Sequence, residues 1–316
     1  MGEGESKLSP LFLQKEERYM ERMLGRKKNI AMFVLPALLI FLCFTIVPLF
    51  ISGFYSLFEY DGIGKMNFVG LKNYIETLTE DEYFLVAVKN SWILAAASLF
   101  VQLPLALILA LVLARGVKGE KFFRTIYFVP VVISSMVIGQ LWMKIFHSEY
   151  GLLNIFLGLF TKEPVEFSWL TNPKTAFLCA VIPSVWQYIG YHMLIFYAGI
   201  KSISTDYYEA AKIDGASNIQ ATFRITLPLL APVLKTCIIF ALTGSLKAFD
   251  LVYVMTGGGP NHVSEVPATL MYSNLFKKSL YGYGSAQAFF IVIECVVLSI
   301  VIGKMFKRAE ENASAI

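Results

Sequence analysis

Residues 90–114 read NSWILAAASLFVQLPLALILALVLA, twenty-five positions without an Asp, Glu, Lys or Arg. At 1.5 Å per helical residue, about 20 such residues cross the roughly 30 Å hydrocarbon core of a bilayer. The run is therefore long enough to be a membrane span. On either side of it, uncharged runs of the same kind occupy 29–58, 125–143 and 175–200. Two further runs, 229–255 and 282–303, are interrupted by Lys235, Lys247 and Asp250 in the first and by Glu294 in the second. The sequence thus predicts an all-α, polytopic integral membrane protein with six transmembrane helices, at about 29–58, 90–114, 125–146, 175–200, 229–256 and 282–303, within a membrane domain over 29–306. Pro36, Pro48, Pro104, Pro130 and Pro183 fall inside these spans, where they kink helices and leave neighbouring helices to absorb the freed backbone groups.

Composition excludes the alternatives. Of 316 residues, 56% are hydrophobic and 16% are charged, against about a quarter charged in soluble domains. That is too little charge to cover a water-facing surface. With 26 Phe, 16 Tyr and 4 Trp the chain is also far too aromatic to remain disordered. The net charge of +4 is small and asks for no nucleic acid. Cys43, Cys179, Cys237 and Cys295 stand singly in apolar stretches, with no CxxC spacing, and read as small packing residues.

An even number of spans puts both termini on one side, and basic residues tell which. With an inner amino terminus, eighteen Lys and Arg fall in inner segments, among them Lys7, Arg26, Arg115, Lys121, Arg224 and Lys307; eight fall outside. The expectation is a cytoplasmic segment 1–28, a cytoplasmic tail 307–316, and both termini on the cytoplasmic face of a bacterial cell membrane. The first apolar run is too long for a signal-peptide core and reads as a retained span. The outer segment 147–174 contains YGLLNIFLGLF, whose Leu and Phe residues repeat with a helical period and predict a short interfacial helix.

The inner segment 201–228 carries the most information. Its stretch from Ser204 to Pro232, STDYYEAAKIDGASNIQATFRITLPLLAP, reads as two short helices with a sharp turn between them. Asp206 and Glu209 have capping-box spacing, Ala210, Ala211 and Ile213 continue the helix, and Gly215 supplies a left-handed residue to end it. Ser217 and Gln220 repeat the spacing and start a second helix, which runs until Pro228 redirects the chain. Small residues at 210, 211 and 216 leave room for another protein's surface to approach. Connectors between bundled helices are usually a few residues long, so a structured segment of this length suggests docking.

EAAKIDGA, followed by the F-x-I-x-LP pattern and Pro232, resembles the EAA loop of permease subunits of binding-protein-dependent ABC importers, type I. The matching positions include Glu209, Ala210, Ala211, Asp214 and Gly215. FVGLKNY at 68–74, FDLVYVMTGGGP at 249–260 and GYGSAQA at 282–288 extend the likeness to the carbohydrate-type subfamily of maltose and glycerol-phosphate permeases. The resemblance implies that the loop is a coupling helix seated in a cleft of a cytoplasmic ATP-binding cassette dimer, with Glu209 and the Ala210–Ala211 pair on the docking face. It also implies a second homologous permease subunit, an extracytoplasmic solute-binding protein and a sugar substrate. There is no GxxxxGKS/T phosphate loop, and Gly257–Gly259 is followed by Pro260. The energy source is then expected on another chain, and no catalytic, metal or cofactor site is expected on this one.

Polar groups inside spans are costly in hydrocarbon and belong to the bundle interior or a watery cavity. Lys247 and Asp250 are three residues apart on one helical face and suit mutual neutralisation; Glu294, near the middle of the last span, either pairs with Lys247 or faces the cavity alone. Neutral small residues are more usual in the family where Glu294 stands. Around Gly190, the aromatic and amide side chains of Trp186, Gln187, Tyr188 and Tyr191 suit a sugar, whose C–H faces stack on rings while its hydroxyls bond to polar groups. The expected substrate pathway is therefore Trp186, Gln187, Tyr191, Lys247, Asp250 and Glu294. A secondary transporter driven by ions and working without an ATPase would require inverted half-repeats, and none is visible. An integral membrane enzyme would require a catalytic constellation, and none emerges.

Overall fold

The structure, a computed structural model, describes residues 27–161 and 165–314. Most of the segment 1–28, Lys162 and the end of the tail lie outside the described residues. Among the described residues, five helices are long and apolar enough to cross a membrane, and a sharply bent helix pair makes a sixth if its two halves are counted as one span. The described residues are all-α apart from one two-stranded ladder.

The first span forms a unit of its own, ending at Phe54. It comprises α1 (Lys27–Phe41) and all but the last residue of α2 (Val47–Tyr55), joined by a π-helical turn over Leu42–Ile46. The second unit begins at Tyr55. There β1 (Phe58–Glu59) pairs antiparallel with β2 (Asn67–Phe68), setting Phe58 opposite Phe68. After α3 (Lys72–Thr79), α4 (Glu82–Ala97) and α5 (Leu103–Ala114) form one 33-residue span through a second π turn at Ser98–Gln102. Asp81 caps α4 by accepting a bond from the Phe84 amide.

Three π turns share a cause. They cover Leu42–Ile46, Ser98–Gln102 and Thr222–Thr226, and each ends two residues before a proline: Pro48, Pro104 and Pro228. Proline has no N–H for the carbonyl four residues back, and its ring crowds that carbonyl. Widening the helix by one residue relieves both problems. The residue before each proline then reaches back five positions: Val47 to Leu42, Leu103 to Ser98 and Leu227 to Thr222. Pro228 was expected to redirect the chain; instead the helical path passes through it and turns at Leu230 (φ −82°, ψ −2°).

The third span departs from a straight helix over 125–146. It consists of α6 (Glu120–Val132) and α7 (Ser135–Ile145), set at 96°. Ile133 and Ser134 adopt extended ψ angles of 138° and 134°, and the Ser134 hydroxyl caps α7 by accepting from the Met136 amide. A serine free to cap a new helix after an extended β-branched residue is what breaks the span. Beyond it lie α8 (Leu152–Gly158), the long α9 (Ala176–Lys201), α10 (Thr205–Ile213), α11 (Asn218–Ala221), α12 (Leu227–Leu229), α13 (Ala231–Leu246), α14 (Asp250–Met255), α15 (Pro267–Tyr272) and α16 (Tyr281–Ser314).

The core forms where α5, α9 and α13 meet. Ala106 and Ala110 on α5 are fully buried, four residues apart, against Met193 and Phe196 of α9 and Cys237 of α13. Small residues at that spacing let helices approach closely, which matters in lipid because packing rather than apolar burial holds spans together. Large-to-small changes such as Phe196→Ala typically cost about 3–5 kcal/mol.

Candidate functional site

Two places carry the expected chemistry. The first is the segment after α9. Ser204 is the cap of α10, its hydroxyl accepting from the Asp206 amide, so the helix starts two residues earlier than the Asp206–Glu209 spacing suggested. At the other end, the Ala216 amide donates to Ala211 and the Gly215 amide to Lys212, at 2.9 and 3.1 Å. Those two bonds, with Gly215 at φ +76°, form a Schellman closure. Ser217 and Gln220 then make a reciprocal capping box: the Ser217 amide donates to the Gln220 carboxamide at 2.8 Å and the Gln220 amide to the Ser217 hydroxyl at 3.3 Å.

The result is a stiff hairpin of two helices. Its helix ends are closed by local caps, and the Tyr208 hydroxyl, 3.0 Å from Thr226 Oγ1, ties α10 to the π turn beyond. Nothing on α10 is buried. Glu209, Ala210, Asp214 and Gly215 are exposed and Ala211 is half-buried. A Cβ added to Gly215 meets nothing within 4 Å, so the glycine answers to backbone conformation and not to space. Three apolar side chains that carried no role in the docking expectation stand out of the hairpin: Ile213, Ile219 and Phe223, exposed by 87%, 68% and 66%. Their signal in the sequence is bulk and hydrophobicity inside an otherwise polar loop, the mark of a surface meant to be covered.

The second place is a cleft of about 400 Å³ between the middle of α9, the α4–α5 span and the region joining α13 to α14. Gln187, Tyr191, Lys247 and Asp250 line it together with Tyr188, and Ser135 enters from the start of α7. Its floor holds two buried polar pairs: the Ser245 and Ser98 hydroxyls at 2.9 Å, and the Gln102 amide nitrogen 2.9 Å from His192 Nδ1. Rings flank it, with Phe249 stacked on Tyr253 at 4.9 Å between centroids. Hydroxyls, amides and aromatic faces in one concave site are the groups that hold a polyhydroxylated ligand.

Two expected residues lie elsewhere. Trp186 turns away from the cleft and sets its ring edge against Trp142 at 5.8 Å, because it follows the outward face of α9. Glu294 is half-buried on α16 beside Trp92, away from the cleft lining, with Oε2 buried and lacking a hydrogen-bond partner. Lys247 and Asp250 do reach the cleft, both exposed, yet no ion pair within 4 Å joins them to each other or to Glu294. The helix ends between them: Lys247 closes α13, Phe249 has φ −139° and ψ −61°, and Asp250 opens α14. The helical spacing that would have set them on one face is lost there.

Comparison with known proteins accords with this architecture. Residues 102–310 match the family described as binding-protein-dependent transport system inner membrane component. The chain is 38% identical over 284 residues to a probable ABC transporter permease protein, YurN, of Bacillus subtilis, covering 89% of this chain and 97% of that one. It is 33% identical over 298 residues to the trehalose/maltose transport system permease protein MalF of Thermococcus litoralis, covering 92% and 97%. With the multiple sugar-binding transport system permease protein MsmF of Streptococcus mutans it shares 32% identity over 279 residues, covering 88% and 95%. Among solved structures, a bacterial ABC transporter that imports the acidic polysaccharide alginate has the same fold, with a TM-score of 0.77 at 24% identity, over 92% of this chain and 99% of that one. The hairpin, the bundle and these likenesses agree: the chain belongs to the family of inner membrane components of binding-protein-dependent transport systems.

Proposed function

We propose that this chain is one half of the membrane pathway of an ATP-driven importer that takes up a sugar or oligosaccharide. An extracytoplasmic solute-binding protein hands the cargo over. A second homologous permease completes the pathway, and a cytoplasmic pair of ATP-binding cassette subunits drives it through the α10–α11 hairpin. The assembly sits in the cytoplasmic membrane with both termini of this chain inside, in keeping with the basic residues of the inner segments.

One observation carries the reading: a cap-delimited helix that buries none of its own residues, with Ile213, Ile219 and Phe223 uncovered around it. Glu209, Ala210, Ala211, Asp214 and Gly215 form the coupling element. The small side chains at 210 and 211 admit a close neighbour, and the Schellman turn at Gly215 lets the hairpin transmit a push without bending. The sugar class is supported by the relatives named for maltose, trehalose and multiple sugars, and by the mixed hydroxyl, amide and ring lining of the cleft. Tyr191, Lys247 and Asp250 mark the pathway there, while Gln187 borders the same cleft with its amide turned to the Pro130 and Ile133 carbonyls.

The test is co-purification of the assembled importer. Ile213→Asp combined with Phe223→Asp is expected to release the ATPase subunits while the chain still inserts and keeps its helical circular dichroism. Undiminished retention of those subunits would remove the hairpin from the docking surface.

A further inference from the structure

The two halves of the bent third span have different main neighbours. α6 packs along α9, whereas α7 packs chiefly against α14 and touches α9 at the Trp142–Trp186 ring contact. The α6–α9 contact is fastened at three levels. At its lower end the Tyr197 hydroxyl donates to Glu120, and the Arg124 guanidinium lies 4.7 Å from the Tyr197 ring centroid. Midway, Gly190 lets the α6 backbone pass against α9, since a methyl group there would collide with the Tyr127 carbonyl. At the upper end the Gln187 side-chain nitrogen reaches Pro130 O and Ile133 O, at 3.4 Å each. On the other half, Gly139 of α7 faces Val254, where an added Cβ would stand 2.8 Å from Val254 Cγ1.

Gln187 therefore occupies a particular position. The last carbonyls of a helix have no intrahelical donor, and the Gln187 amide serves one of them, Pro130 O, together with the carbonyl of Ile133 just past the end of α6. Both bonds are longer than the usual 2.7–3.2 Å range, so the amide is shared between them rather than locked to either. The side chain is 2% exposed, and its Oε1 is buried without a partner. Burial of that kind is ill suited to meeting cargo directly. Ile133 and Ser134 are the only non-helical residues between the halves, and a few terminal residues that absorb backbone rotation are what hinges are made of. α9 also leads, through Ser202–Ser204 alone, into α10.

We infer that Gln187 is a positioning residue of the transport cycle. It clips the end of α6 to α9, so that α6–α9 and α7–α14 swing as two rigid pieces about Ile133–Ser134 and thereby open or close the cleft at Ser135. The role in transport rests on the function proposed above; the hinge itself is measurable without cargo.

The test uses the full chain in lipid nanodiscs, with the native cysteines replaced and spin labels placed at exposed positions. Ile126 with Leu141 spans the break, and Ile126 with Ile182 lies within the α6–α9 piece. In the wild type each pair gives one narrow distance. In Gln187→Met, which keeps shape and loses the donor, the pair across the break loses its single narrow peak while the pair within the piece keeps it. Gln187→Leu serves the same purpose if the methionine variant does not fold. In the complete importer, the same substitutions lower the maximal rate of ATP-driven uptake and leave the half-saturating concentration unchanged. Identical distances across the break in wild type and both variants overturn the proposal, as does a raised half-saturating concentration at full maximal rate, which makes Gln187 a cargo contact. Absence of ATP-driven uptake in the wild-type assembly defeats the importer reading and leaves the distance measurement to decide the hinge.

Discussion

Gly190 stands where the backbone of α6 crosses α9: a Cβ on it would overlap the Tyr127 carbonyl oxygen and lie 3.0 Å from the Phe128 nitrogen. Backbone cannot yield as a flexible side chain can, so the absence of a side chain at 190 sets the distance between the two helices. Gly190→Ala is expected to destabilise the bundle by about 1–3 kcal/mol, the usual range for overpacking, seen as a lower unfolding midpoint in detergent. Gly303→Ala, where a Cβ meets nothing within 4 Å, is the control and is expected to leave the midpoint unchanged or raise it. Equal melting of the wild type and Gly190→Ala would show that the helices do not meet there.

The hairpin after α9 makes a different demand. Gly215 holds φ +76° in open space, so a side chain there is strained by conformation, at about 1–2 kcal/mol for an L-residue. Gly215→Val is expected to loosen the turn and uncouple ATP hydrolysis from uptake, with Gly215→Asn milder because asparagine tolerates the left-handed region. Glu209→Ala is expected to uncouple as well, by removing an exposed charge from the docking face while the helix stays intact. Each comparison is the ratio of phosphate released to solute taken up in proteoliposomes, and wild-type ratios in all three variants would count against the docking role.

Removing the second cap has a local consequence. Ser217→Ala deletes the hydroxyl that accepts from the Gln220 amide and leaves only the backbone half of the capping box, from the residue 217 amide to Gln220 Oε1. Loss of such a cap costs about 1 kcal/mol, and α11 has only four residues over which to spread it. Faster proteolytic cleavage between Asp214 and Thr222 is the expected reading, with cleavage elsewhere unchanged.

In the cleft, Tyr191 and Trp186 separate two explanations for aromatic residues near the middle of a span. Tyr191 lines the cleft, and Trp186 packs outward on Trp142. Tyr191→Ala is expected to raise the half-saturating concentration for uptake by about tenfold, equivalent to 1.4 kcal/mol of lost binding. Trp186→Ala is expected to leave it unchanged. Uptake titrations with the sugar recognised by the cognate binding protein decide between them, and the opposite ranking would displace the site from the cleft.

The parts of the molecule that could be read in advance are those fixed by local chemistry. Long uncharged runs had to be spans, because nothing else hides so many apolar side chains from water. The capping box at Ser217–Gln220 and the left-handed Gly215 followed from spacing and side-chain type alone. The start of α10 moved from Asp206 to Ser204 because both residues, two positions apart, are able to cap, and spacing alone did not rank them. The bend at Ile133–Ser134 escaped notice because both sides of it are equally apolar, and composition is blind to direction. Trp186 and Gln187 are neighbours in sequence and differ in fate, since one faces outward and the other spends its donor on backbone freed by a distant break. The unpaired state of Lys247 and Asp250 depends on a helix ending between them, which a helical period cannot foresee.

Energy supply is the point on which the whole account turns, and reconstitution measures it. Proteoliposomes carrying this chain with its companion permease are supplied with the binding protein and its labelled sugar, with ATP inside, in the presence or absence of the ATPase subunits. Accumulation above the external concentration is expected only when the ATPase subunits and ATP are both present, and to be lost with Ile213→Asp/Phe223→Asp. Accumulation without any ATPase would contradict it and return the chain to the class of ion-driven carriers.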